Sequence, residues 1–69
     1  MKKYSYADLE NLIGKPVFVK VIGSDNYFKS GWAVLHLNTN INAYYALSKL
    51  NYPISAYFDT KFELYDAEI

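Results

Sequence analysis

Pro16-Val17-Phe18-Val19-Lys20-Val21-Ile22, a break at Gly23-Ser24-Asp25-Asn26, and then Tyr27–Leu37 around Gly31-Trp32-Ala33-Val34-Leu35 decide the fold of this chain. The first run is rich in β-branched residues and reads as a strand. Val17, Val19 and Val21 share one face; Phe18, Lys20 and Ile22 share the other. With both faces mostly apolar, the strand is expected to be central or covered on both sides, with Lys20 as a gatekeeper against aggregation. A hairpin across a four-residue turn sets Val21 opposite Phe28, Val19 opposite Ser30, Val17 opposite Trp32 and Lys20 opposite Lys29. In that register Phe28, Trp32, Val34 and His36 point inward. A bulge at Gly31 exchanges the faces: Ala33, Leu35 and Leu37 turn inward, and Trp32 and His36 turn out. The bulged form is expected, because it puts three aliphatic side chains in the core.

Before this hairpin, Ser5 and Asp8 have capping-box spacing, and Tyr4 and Leu9 stand at hydrophobic-staple positions. Leu9, Leu12 and Ile13 form an inward stripe. Gly14 suits a left-handed residue after the last turn, and Pro16 stops continuation. A helix over roughly Tyr6–Ile13 follows. After the hairpin, Asn38-Thr39-Asn40 reads as a turn. Ile41–Leu50 reads either as a strand throughout or as a strand followed by a helical turn, with Ile41, Ala43, Tyr45 and Leu47 alternating against Asn42, Tyr44, Ala46 and Ser48. The end reads as a hairpin around Asp59-Thr60-Lys61. It sets Phe58 opposite Phe62 and Ala56 opposite Leu64, leaving Tyr57 and Tyr65 diagonal on the outer face.

The expected fold class is therefore mostly β (α+β). One 69-residue domain would hold five short strands in a small barrel or curled antiparallel sheet, with a short N-terminal helix and, in the second reading of 41–50, a helical turn near 43–50.

Composition narrows the function. The chain has no cysteine, so neither a disulfide nor a thiolate metal site supplements the core. With no signal-like start and no apolar run of membrane-spanning length, a cytoplasmic protein with no membrane partner is expected. Seven Lys balance seven acids and there is no Arg. Residues 1–20 are basic, and residues 59–69 hold four acids against one Lys. The termini are expected to lie together and neutralise each other; the alternative is an acidic tail that docks on a basic partner.

Leu12-Ile13-Gly14-Lys15-Pro16-Val17-Phe18-Val19 and Gly31-Trp32-Ala33-Val34-Leu35-His36, with a weaker stretch at Ile54-Ser55-Ala56-Tyr57, resemble small phage- and prophage-encoded proteins of low-GC Gram-positive bacteria with a Src-homology-3-like barrel. That family tends to read Gly-Lys-Thr-Trp-Leu-Ala-Tyr where this chain has Asn51-Tyr52-Pro53-Ile54 and onward, so the Gly-Lys and second Trp are missing. The resemblance implies a barrel and a phage origin more than a mechanism.

Catalytic chemistry finds little to use. The one His, His36, would have to activate one of the Ser residues, and the acids lie away from it. Gly14, Gly23 and Gly31 are too scattered to cradle phosphate. No enzyme, metal or cofactor is expected. Thirteen aromatics exceed what one small core encloses, so the expected function is a protein-interaction module. Its candidate partner-binding residues are Trp32, His36, Tyr44, Tyr57 and Tyr65. Homodimerisation through this tyrosine face or a strand edge is a further expectation. Two alternatives stand beside the module. One is single-stranded nucleic-acid binding using Lys20, Lys29 and Lys49, against which neutral charge and absent Arg weigh. The other is inhibition of a host defence protein through the acidic segment Asp59–Glu68.

Overall fold

The computed structural model describes residues 1–69 and contains one antiparallel sheet of five strands. These are β1 Pro16–Val21, β2 Gly31–Asn38, β3 Ala43–Leu47, β4 Asn51–Tyr52 and β5 Phe62–Tyr65. Their order is β4-β3-β2-β1-β5, with β4 and β5 as edges, so the sheet is not closed. A 3-10 helix, Tyr6–Asn11, leads in, and one turn of helix, α1 Ile54–Tyr57, links β4 to β5. The mostly β, five-stranded expectation with a short lead-in helix matches this architecture.

The core lies on one side of the sheet. Val17 and Val19 of β1, Ala33 and Leu35 of β2, Ala46 of β3, Tyr52 of β4, and Phe62 and Leu64 of β5 all point into it. Leu9 from the 3-10 helix and Ile54 from α1 close it. Both helices therefore cover the inner face.

The central hairpin has the expected faces but reaches them differently. Phe18 pairs with Trp32, Val17 with Ala33 and Val19 with Gly31. That is one residue away from the register of the four-residue turn, and a one-residue slip exchanges the two faces of a strand. Ala33 and Leu35 are buried, and Trp32 and His36 point out. No bulge is needed at Gly31, whose pairing with Val19 continues the ladder without interruption. The slack is taken up instead in a loop, 22–30, longer than the expected turn.

Local bonds explain why this loop does not tighten into a hairpin turn. Asp25 Oδ1 accepts from the backbone N–H of Tyr27 (2.7 Å) and of Phe28 (2.9 Å), folding the chain back on itself. The Phe28 ring then packs on Tyr52 and Phe62. The Tyr52 hydroxyl donates to the Lys29 carbonyl at 2.6 Å. Ser30 Oγ accepts from the Val21 N–H at 2.9 Å, where a ladder carbonyl would otherwise stand. Phe28 and Ser30 are thus loop residues and do not face Val21 and Val19 in a ladder. Lys20 lies opposite Glu63 of β5, not Lys29.

At the amino end, the Asp8 carboxylate accepts from the Ser5 N–H (2.8 Å) and hydroxyl (3.1 Å). Leu9 is buried and Tyr4 and Leu12 pack beside it, but Ile13 is exposed. The tighter helix stops at Asn11, so the i+4 spacing that would bring Ile13 round to the core is not realised. Gly14 does take a left-handed φ of 81°.

Residues 41–65 depart furthest from expectation. The strand in 41–50 is Ala43–Leu47, followed by a bend at 48–50 and not by a helical turn. Its inward face is Tyr44 and Ala46, not Ala43, Tyr45 and Leu47. The terminal hairpin is absent. Ile54–Tyr57 is helical, and β5 pairs with β1, setting Phe18 opposite Tyr65 and Val19 opposite Leu64. Only Phe58 and Phe62 still meet, in an isolated bridge. Pro53 precedes the turn, and Asp59, with a φ of 60°, supplies the left-handed residue after it.

Candidate functional site

The outward face of the sheet carries the side chains left over once the core is assigned. The register sets them in rows across the strands. Tyr65, Phe18 and Trp32 form one row over β5, β1 and β2. Pro16, Val34 and Leu47 form the next, over β1, β2 and β3, and His36 and Tyr45 the last. No charged residue stands in the first two rows. Phe18 is buried here by its neighbours, with Trp32 edge-on against it at 5.6 Å between ring centroids. Trp32 and Val34 remain 45% and 46% exposed, and Leu47 40%. Aromatic, branched and aliphatic groups thus form one contiguous apolar surface that neither helix covers.

A charged cluster closes one end of this face. Lys3 Nζ lies 3.2 Å from Glu63 and 3.5 Å from Asp59. The Tyr65 hydroxyl donates to Glu63 Oε1 at 2.8 Å. That bond, more than the nearby Lys3, holds the Glu63 carboxyl below the ordinary carboxylate range. The same bond raises the Tyr65 phenol above its usual value, and Glu63 together with Asp59 raises Lys3. Asp66 meanwhile accepts from the Lys2 backbone N–H at 2.6 Å. The basic start and acidic end of the chain therefore meet, and Asp59, Glu63 and Asp66 are occupied within the chain.

Of the five candidate residues, the fold brings Trp32, His36 and Tyr65 to the outer face. Tyr44 is on the opposite side, correcting its expected outward placement. Its ring packs against the core and edge-on to Tyr6 at 5.7 Å. Tyr57 is also away from the face, on α1, edge-on to the buried Phe62 and beneath the Lys61 ammonium at 4.6 Å. It has no diagonal relation to Tyr65. Both misplacements follow from the terminal segment: α1 returns over the inner face, where a hairpin strand would have extended the sheet. Phe18, Val34 and Leu47 belong to the site and were not among the candidates. The alternation Trp32-x-Val34-x-His36 carried the signal for Val34; Leu47 had none, because its strand face was inverted.

Both edges of the sheet are blocked. Along β5, the Tyr4 N–H donates to the Leu64 carbonyl (2.8 Å) and the Asp66 N–H to the Lys2 carbonyl (3.0 Å), so residues 2–4 lie on it through an isolated bridge between Lys3 and Tyr65. At the other side, β4 is two residues long. The β3 backbone beyond it is satisfied by Ser55, whose Oγ accepts from the Tyr44 N–H at 2.7 Å and bonds the Tyr6 hydroxyl at 2.9 Å. Such edges offer little backbone for strand addition.

The surface has no concave pocket, and no three His, Asp or Glu side chains converge as metal ligands. No helix is long and apolar enough to cross a membrane. Comparison with protein-family models, with characterised proteins and with solved structures finds no match. What distinguishes the molecule is an aromatic-aliphatic sheet face with uncharged central rows between two blocked edges.

Proposed function

We propose that this chain is a non-enzymatic protein-interaction module that binds through the outer sheet face. The observation that carries this is the pair of rows Tyr65–Phe18–Trp32 and Pro16–Val34–Leu47, contiguous and uncharged, in which Trp32, Val34 and Leu47 stay exposed around the buried Phe18. Contiguous apolar patches rimmed by polar groups mark association sites, and Trp and Tyr are favoured as binding anchors. Trp32 suits that role because its ring is held in place by Phe18 while much of it stays open to a partner. His36 at one end and Tyr65 at the other bound the contact.

The finer architecture is read as a Src-homology-3-like barrel. Support comes from four consecutive antiparallel strands, a helical turn between β4 and β5, and the return of β5 to β1. The phage or prophage origin rests on the resemblance of residues 12–19 and 31–36, and it directs the test to a Gram-positive host. Immobilised wild type should retain a protein from such a lysate, and Trp32→Ala should not, while both give the same circular dichroism spectrum. Equal retention by the two proteins, or none by either, overturns the reading.

A further inference from the structure

We infer that the occupant of the outer face is an acidic amphipathic helix of another protein, its apolar side chains against Trp32, Val34 and Leu47 and its carboxylates on the lysines around them. This rests on the outer face being a binding surface, and two observations select that occupant. The first is how the charges are distributed. The chain is neutral as a whole, but from Leu12 to Phe58 it holds four Lys and one acid, Asp25. Asp25 is engaged by the Tyr27 and Phe28 amides and by Lys61, and strands β1 to β4 contain no carboxylate. Lys2, Lys3 and Lys61 are ion-paired within the chain, whereas Lys15, Lys20, Lys29 and Lys49 are not. Glu63 stands across from Lys20, but its carboxylate is held by Lys3 and the Tyr65 hydroxyl. The four unpaired lysines border the apolar rows. Lys20 is the next outward residue of β1 beyond Phe18, and Lys49 lies in the bend that follows Leu47. Lys15 precedes Pro16, and Lys29 is exposed just before β2 begins. An apolar surface bordered by unpaired ammonium groups is complementary to a ligand that brings both aliphatic side chains and carboxylates. Nucleic acid fits it less well. Pro16, Val34 and Leu47 offer no aromatic ring on which a base would stack, and no Arg is present to hold phosphate in a bidentate fork.

The second observation is the pair of blocked edges. With residues 2–4 bridged to β5 and the Tyr44 N–H bonded to Ser55, an extended segment finds little backbone to pair with. The face itself presents side chains, since the ladder bonds lie in the plane of the sheet. An element that covers it must therefore satisfy its own N–H and C=O groups, as a helix does. The spacing also suits a helix. Outward residues on one strand repeat about every 6.7 Å, and apolar positions four apart on a helix repeat about every 6 Å. Successive apolar side chains of a helix lying along the strands thus fall on successive rows.

Trp32 is the only tryptophan, so its emission reads the face directly. Two synthetic helical peptides of about five turns serve as probes, one with a Leu stripe flanked by Glu, the other with Lys in place of each Glu. Each is titrated into the full chain to about 1 mM at low salt. The Glu peptide should shift Trp32 emission to the blue and bind at least about tenfold more tightly than the Lys peptide, and added salt should narrow the gap. Lys29→Glu combined with Lys49→Glu, both at exposed positions outside any ion pair, should cancel that preference. Lys15→Glu with Lys49→Glu serves the same purpose if the first combination is not folded by circular dichroism. Equal binding of the two peptides, binding that leaves Trp32 emission unmoved, or an unchanged preference in a folded charge-reversed variant each overturns the inference. Tighter binding of an oligothymidylate than of the Glu peptide, or a blue shift on concentrating the chain alone, overturns it in favour of nucleic acid or of a second copy. If neither peptide binds yet the chain captures a lysate protein in a Trp32-dependent way, the acidic helix is wrong and the binding face stands. If that capture also fails, both fall.

Discussion

Tyr52→Phe removes one oxygen atom and tests what sets the register that turns Trp32 outward. Tyr52 is 3% exposed, and its hydroxyl donates to the Lys29 carbonyl at 2.6 Å, tying the loop 22–30 to the far edge of the sheet. A single internal hydrogen bond contributes about 0.5–1.5 kcal/mol net, and more where the abandoned partner stays dry. Lys29 is exposed, so water can reach its carbonyl, and about 1 kcal/mol is the expected loss. In a domain this small that lowers the melting temperature by about 4–8 °C. Urea unfolding should show a lower midpoint with an unchanged slope. The native Trp32 emission should be the same as in the wild type, because the ring lies on the other side of the sheet and Phe28 still packs on ring 52. A native blue shift would mean that β2 had slipped by one residue and carried Trp32 into the core. In that case the hydroxyl, and not the packing of the loop, would be what holds the register. A loss below about 0.3 kcal/mol would show instead that the loop is anchored by Phe28 and Asp25 alone, and the reasoning about Tyr52 would be refuted.

Two further outcomes are expected. Ser55→Ala removes the acceptor of the Tyr44 N–H and the partner of the Tyr6 hydroxyl; it should cost about 1–2 kcal/mol and accelerate hydrogen exchange at Tyr44 well beyond that at Ala46, whereas equal acceleration at both would argue for global loosening. In acid, the depressed carboxyls of Asp8, Asp25 and Glu63 contribute stability that is present above the ordinary carboxylate range and lost as pH falls through their lowered values. The raised Lys3 and Tyr65 have the opposite sign, their contribution present at neutral pH and lost in strong alkali. The melting temperature should therefore be flat from about pH 5 to 9 and fall on both sides, and a maximum near pH 3 would contradict these assignments.

The local chemistry of the first half of the chain could be read from its residues. Gly14 before Pro16, Ser5 with Asp8, and the alternation of Val17 and Val19 each depend on near neighbours, and each is found in the fold. The faces of β2 were legible too, because Ala33 and Leu35 make a better core pair than Trp32 and His36. The reason for those faces was not. It lies in Tyr52 and Phe62, which attract Phe28 from the other end of the chain, and no local pattern encodes that. The same limit misplaced Tyr44 and Tyr57. Ile54-Ser55-Ala56-Tyr57 alternates as well as any strand, but β1 already has a place for β5, and Ser55 gains two hydrogen bonds by turning inward. Short segments with both periods are decided by such distant partners.

The meeting of the chain ends bears on how the protein is made. β1 is synthesised well before β5, yet the two are neighbours in the sheet, and the bond from Lys2 to Asp66 spans 64 positions. Until Phe62–Tyr65 has emerged, one side of β1 has no pairing strand, and the partners that cover Val17 and Val19 are incomplete. Closing so distant a contact is slow. A nascent or truncated chain that stops before Tyr65 therefore exposes at β1 the unpaired backbone that the folded molecule conceals, and its exposure to chaperones and proteases should end abruptly once Phe62–Tyr65 is in place.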